Sequence, residues 1–372
     1  MKTLQSELST VKPHLKLGSI LLPRSNSTYV GRNDYGLEVS SPARAALAAM
    51  DGARTCEELS ESLGIPLPEI LTLVNELDQA GLIDTQTSKI SVHTRFHSPN
   101  AHRASHDSDD SNDGAVQQLQ AKLLPELSFT TWLSHVRDGG VATVSKRREW
   151  QVTILGDSRI ATLLYGILLS SGITHTSLHS LDDHKTISEG DMCAGFLHPS
   201  DIGLLYANRT QELSRELSLF PMTKSPTTKN GDDENLRRMM VAVGNTPADH
   251  VQEWMSNGVP HLIIDSPDSA SISLGPIVIP GQSPCTRCIS MALQDQSPVW
   301  REISLQKLIK PAKEVPVAVA HQVAGLAALE LLHFVDEGQS ELIGRCARIN
   351  YHRPTIAAQH SFTRHPACGC NW

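Results

Sequence analysis

Two cysteine pairs set the strongest condition on how this chain can fold. Cys285 and Cys288 stand in "PCTRC", and Cys368 and Cys370 stand in "HPACGC" at the end of the chain, nearly eighty residues later. A C-x-x-C turn offers two thiolates at the spacing zinc requires, with sulfur about 2.3 Å from the metal, and a second pair completes a closed tetrahedral set. The spacing predicts a structural zinc held by Cys285, Cys288, Cys368 and Cys370, with no open position left for catalysis. Such a metal would pin the end of the chain against the core of its domain. The alternative is a redox C-x-x-C, which normally opens a helix inside one small strand–helix unit and needs no distant second pair. His365 is the one credible substitute ligand, and Cys56, Cys193 and Cys346 read as packing residues.

Seven cysteines, an odd number spread over 372 residues, do not suggest a disulfide framework. The net charge of -8 gives no cationic field for nucleic acid or an anionic membrane surface. Aromatic residues at 4% offer few platforms for stacking on bases. The first residues lack the apolar core of a signal peptide, and no later stretch reads as some eighteen apolar residues in a row. A cytoplasmic protein with a specific partner fits these totals.

The run "HSPNAHRASHDSDDSNDGA" from His97 to Ala115 has almost nothing apolar to offset the entropy of ordering. It divides the chain into a small domain over 1–90, a flexible linker over 91–115 and a large domain over 116–372. A second polar run, Thr223 to Asn235, reads as a surface loop. In the small domain "KLGSILL", "STYVGR" and "YGLEVS" suggest three strands, followed by three helices. Thr55 and Glu58 form a capping box, and Ile70, Leu71, Val74 and Leu77 make an amphipathic stripe before Gly81. This pattern predicts a winged-helix-like module. The large domain begins with two helical stretches, 116–124 and 129–136, and then alternates strands with helices. That alternation predicts an α/β fold with a mainly parallel sheet wrapped on both faces.

The first βα turn of that sheet is "LGDSRIA". A nucleotide-binding turn uses glycines so that backbone can approach phosphate at a helix N-terminus. Here Gly156 remains, but Ser158 and Ala161 stand where the second and third glycines belong, and Asp157 would repel an anion. Asp182 and Asp183, after the next strand, fit a ribose-binding carboxylate or an ordinary turn equally. No Ser-His-Asp or paired-carboxylate arrangement stands out, so no catalytic residue is assigned.

"GPIVIPGQSPCTRCISMALQDQSPVW", "DGGVATVSKRREWQVTILG", "GDMCAGFLHPSDIGLLYANR" and the terminal "HPACGC" together resemble the ThiF-like partner proteins of azoline-forming cyclodehydratases, from pathways that make ribosomally synthesised, post-translationally modified peptides (RiPPs). The first ninety residues resemble a PqqD-like peptide recognition element. The resemblance implies a ThiF-like, Rossmann-type domain whose zinc is held by the four cysteines. It also implies a leader-peptide-binding role, without catalysis, beside a YcaO-type cyclodehydratase, and a homodimer. The leader would add as a strand to the edge formed by "GLEVS", with Leu37 and Val39 on one side and Ile70, Val74 and Leu77 of the third helix as the opposite wall. The alternative for these five residues is winged-helix core. Relatives of the wider fold that adenylate a carboxylate carry a Gly-rich loop and an Arg-Gln pair that this sequence lacks, so ATP-dependent adenylation of the precursor is the second reading. A winged-helix DNA regulator is a third, and the third helix opposes it, carrying Glu69, Glu76 and Asp78 and no cation.

Overall fold

The computed structural model describes residues 8–86, 110–220, 236–268, 270–309 and 314–370. The chain forms two compact units, Met1–Ser145 and Lys146–Trp372.

In the first unit β1 (His14–Leu15) pairs antiparallel with β5 (Ile83–Asp84). Strands β2 (Ile20–Pro23), β3 (Ser27–Gly31) and β4 (Gly36–Ser40) form an antiparallel sheet in that order, so β4 is an edge. These are the three runs expected from sequence; the two-residue β1–β5 ribbon was not. Helices α1 (Ala43–Ala49), α2 (Cys56–Leu63) and α3 (Leu67–Gln79) follow β4. The capping box at α2 is formed: Glu58 N donates to Thr55 Oγ1 at 3.1 Å, and Thr55 N donates to the Glu58 carboxylate at 2.7 Å. The stripe on α3 packs with Val30, Leu47, Leu59 and Leu82 into one apolar core.

The division of the chain differs from the expected one at 116. Helix α4 (Asp110–Thr130) takes in the end of the expected linker, the rest of which lies outside the described residues, as does the polar loop 223–235. The segment after α4 packs with the first unit. Lys16, 2% exposed, donates from Nζ to the carbonyls of Thr131 and Val136 and lies 3.9 Å from the Asp84 carboxylate. Trp132 Nε1 donates to Leu17 O at 3.0 Å, and Arg137 pairs with Asp78 at 2.7 Å. A buried ammonium must find acceptors, and this one finds them more than a hundred residues away, which no local pattern reveals. The short helix α5 (Val141–Lys146) ends the segment.

The second unit carries β6 (Trp150–Leu155), α6 (Arg159–Ser170), β7 (His175–His179), α7 (Tyr206–Leu217), β8 (Arg237–Val243), α8 (Ala248–Ser256) and β9 (His261–Ile264). These are followed by β10 (Ser271–Val278), α9 (Thr286–Gln296), α10 (Trp300–Ile309), α11 (Val317–Glu337), β11 (Arg345–Asn350) and β12 (Arg353–Ser361). The sheet order is β12-β11-β10-β9-β8-β6-β7. Strands β7, β6, β8 and β9 are parallel, as the alternation implied, and β10 to β12 extend the sheet antiparallel. Helix α11 has the length and mean hydropathy, 1.4, to cross a membrane, but Val323, Ala327 and Leu331 are buried in the same core as α6 and β6.

Candidate functional site

The chain places three features that bear on function: a sulfur cluster, a groove and a βα turn.

Cys285 is the N-cap of α9, and its sulfur accepts the Cys288 N–H at 3.5 Å. Loop geometry thus aims both thiols of the first pair the same way. Gly369, at φ 75, turns the chain between Cys368 and Cys370 so that both return to the same point. The ligand atoms of the four residues all lie within 4.8 Å of one another, with Cys285–Cys288 at 3.7 Å, Cys285–Cys368 at 3.5 Å and Cys288–Cys370 at 3.2 Å. Sulfurs around a tetrahedral ion with bonds of about 2.3 Å lie about 3.8 Å apart. This set could hold a metal ion. Burial opposes charge on Cys288, but hydrogen bonds from the His365 and Cys285 backbone and from neighbouring thiols bring its pKa down to about 7. Burial raises the thiols of Cys368 and Cys370. His365 stands outside the set: Nε2 bonds to Asp295 at 2.9 Å and Nδ1 accepts the Ala367 N–H at 3.2 Å, so both ring nitrogens are used. Cys56, Cys193 and Cys346 lie outside it too.

A groove of about 360 Å³ runs between β4 and α3. Leu37 and Val39 line it, as do Tyr35 and Glu38. The helix wall differs from expectation. Ile70, Val74 and Leu77 are 1%, 0% and 0% exposed and belong to the core beneath, while Glu76, Gln79 and Ala80 face the groove. The apolar stripe of a helix goes where it excludes most water, so the groove receives the neighbouring ridge. That ridge is little more than the last turn of the helix, and only the strand's position picks it out.

The edge of β4 can be read from its ladder. Arg32 N donates to Tyr35 O at 2.6 Å and Ser41 N to Asn26 O at 3.3 Å, so these pairs bracket the hairpin as hydrogen-bonded pairs. Antiparallel alternation then directs the N–H and C=O of Gly36, Glu38 and Ser40 away from β3. Among the described residues no strand takes them up.

The turn "GDSRIA" lies at the carboxyl end of β6, where open α/β sheets bind ligands. Gly156 has φ 142, and a Cβ there would meet Val243 O at 2.7 Å, so this glycine serves strand packing. Ser158 caps α6, its hydroxyl accepting the Ala161 N–H at 3.4 Å, and the Glu314 carboxylate accepts the Arg159 N–H at 3.4 Å. The chain therefore answers its own helix N-terminus with a hydroxyl and a carboxylate. Lys185 donates to Asp157 O at 2.8 Å and to Asp191 at 3.1 Å. Asp182 is a turn residue, its carboxylate accepting the His184 N–H at 2.9 Å. The sequence pointed to this turn but not to Glu314, which arrives from the segment just before α11, more than 150 positions away.

No family model matches the chain, and no curated protein sequence matches it. Solved structures do. Escherichia coli MccB crystallised with AMPCPP and MccA matches with a TM-score of 0.62 and 13% identity over 97% of this chain and 99% of that one. The fold is the ThiF-like α/β fold of MccB. The microcin C7 biosynthetic enzyme MccB in complex with N-formylated MccA matches equally, with a TM-score of 0.62 and 14% identity over 97% and 99%. The heterocyclase TruD matches with a TM-score of 0.57 and 13% identity over 97% of this chain, which spans only 42% of TruD.

Proposed function

We propose that the protein is a leader-peptide-binding, ThiF-like subunit of a RiPP pathway, which binds a precursor peptide and presents it to a YcaO-type cyclodehydratase. The observation that carries this reading is the free edge of β4 beside a groove, in a chain whose fold matches MccB from end to end. Solved MccB structures hold the MccA peptide, and TruD is a heterocyclase; both support a peptide-modifying context. An extended leader would pair with the outward amides of Gly36, Glu38 and Ser40, and Leu37 and Val39 would pack against its alternate side chains. Tethering raises the effective concentration of the rest of the precursor at the partner enzyme. The PqqD-like assignment of the first unit, a homodimer and a cytoplasmic location belong to this proposal. So does zinc: Cys285, Cys288, Cys368 and Cys370 would hold it, and it would act as a cross-link with no open position.

The second reading, adenylation of the precursor with ATP, is favoured by the likeness to MccB, which has been solved with ATP and with AMPCPP. Ser158 and Glu314 weigh against it, because a phosphate at α6 would meet a carboxylate already bonded to the helix N-terminus. Two measurements separate the readings. Titration calorimetry with MgATP and a pyrophosphate-release assay with precursor present should both give no signal; saturable binding with pyrophosphate release would establish adenylation. A short Cys-, Ser- or Thr-rich peptide encoded beside this chain should bind it, and should lose that binding on removal of its leader half.

A further inference from the structure

We propose that the groove beside β4 selects a basic, amphipathic leader, in which groove-facing side chains include an apolar residue and, next along that face, a Lys or Arg. This rests on the leader-binding reading and adds its chemistry. The charges around the groove are mostly compensated. Glu38 pairs with Arg24 at 3.0 Å, Arg32 with Asp34 at 3.4 Å, and Asp78 with Arg137 at 2.7 Å. Glu76 is different. It lines the groove on the α3 wall and has no hydrogen bond or ion pair from its side chain among the described residues. Helix α3 also carries Glu69 and contains no Lys or Arg. Opposite Glu76 the strand offers Leu37 and Val39, and the helix turn adds the small Ala80.

A strand added to β4 turns every second side chain towards this wall, at intervals of about 7 Å. One such side chain would cover Leu37, Val39 and Ala80 with apolar surface, and the next would bring an ammonium or guanidinium to Glu76. An acidic residue there would face an uncompensated carboxylate with no cation on α3 to answer it. The net charge of -8 favours the encounter with a cationic peptide in the same sense.

The test uses the full chain and two fluorescein-labelled synthetic peptides, one alternating Thr with Leu or Lys, the other Thr with Leu or Glu, followed by fluorescence anisotropy at low salt. The Lys peptide should bind about tenfold more tightly than the Glu peptide. Glu76→Gln should cut that preference to the small bias that net charge alone gives, and Glu76→Lys should remove or invert it. Glu38→Pro removes an outward N–H that β3 does not use, which an edge strand tolerates, and should release both peptides while thermal melting is retained. Equal or reversed preference in the wild type, failure of both peptides to bind, or a preference that survives Glu76→Lys overturns the proposed selectivity. Binding untouched by Glu38→Pro would instead remove the leader from the β4 edge, and the underlying reading would fail with it.

Discussion

The sulfur cluster yields a prediction whose size follows from chain topology. Cys288 and Cys368 are about 80 residues apart, and a metal between them closes that loop in the unfolded chain as a disulfide would. On the chain-entropy relation a closed loop of about 80 residues stabilises the folded state by about 4.5 kcal/mol at 25 °C. For a unit the size of Lys146–Trp372 this corresponds to a fall of about 10–15 °C in Tm when the cross-link is lost. The perturbation is Cys288→Ser, which keeps the volume of a side chain that is fully buried and removes a thiolate. Wild-type protein should carry stoichiometric zinc by plasma mass spectrometry, and the variant should be depleted. Calorimetric melting should show the second unit lowered by that interval, with exhaustive chelation of the wild type reproducing the shift. Full zinc content in the variant, or chelated protein melting within about 2 °C of the untreated sample, would refute the argument that these thiols clamp the chain end.

Three further outcomes are expected. Leu77→Ala, in the core rather than the groove, should destabilise the first unit by about 2–5 kcal/mol in urea denaturation, and weaken peptide binding only in proportion to the unfolded fraction. Arg147 grips Asp336 through both guanidinium and carboxylate branches at 2.9 and 2.6 Å and also donates to Ser171 O at 2.7 Å. Arg147→Met should therefore cost about 3–5 kcal/mol, most of it recovered when Asp336→Leu is added. His261 is buried, which holds its pKa below the ordinary 6.5, with the Nδ1 bond to Val259 O only partly opposing. The unfolded chain then binds a proton that the folded chain refuses, so stability should fall as pH drops below about 6.5, at up to about 1.4 kcal/mol per unit. His261→Phe should flatten that limb when urea midpoints are compared at pH 7.5 and 5.5.

Much of this was legible in the residue order because the signals were local. The capping box at Thr55 and Glu58, the β-prone runs of β2 to β4 and the strand–helix alternation after Trp150 each depend on neighbours within a few positions. Residue type and spacing alone also named the four cysteines that the fold gathers within 4.8 Å. The differences arose where a choice depended on distant groups. Periodicity identified Ile70, Val74 and Leu77 as one face of a helix, but a face can meet a core or a ligand. The apolar interior took it because burying it removes more surface from water, which left Glu76, Gln79 and Ala80 to the groove. The compact units divide later than the expected boundary for a similar reason, since Lys16 draws Thr131 and Val136 to the first unit.

What the amino-acid order determined by itself was therefore the three strands and three helices of the first unit's core, the α/β class and the thiols available to a metal. Only the tertiary structure decided which helix ridge borders the free strand edge, where the segment after α4 packs, and that Glu314 meets the N-terminus of α6. Those outcomes depend on burial and hydrogen-bond satisfaction between groups many tens of residues apart, a quantity that does not exist until the chain has closed on itself.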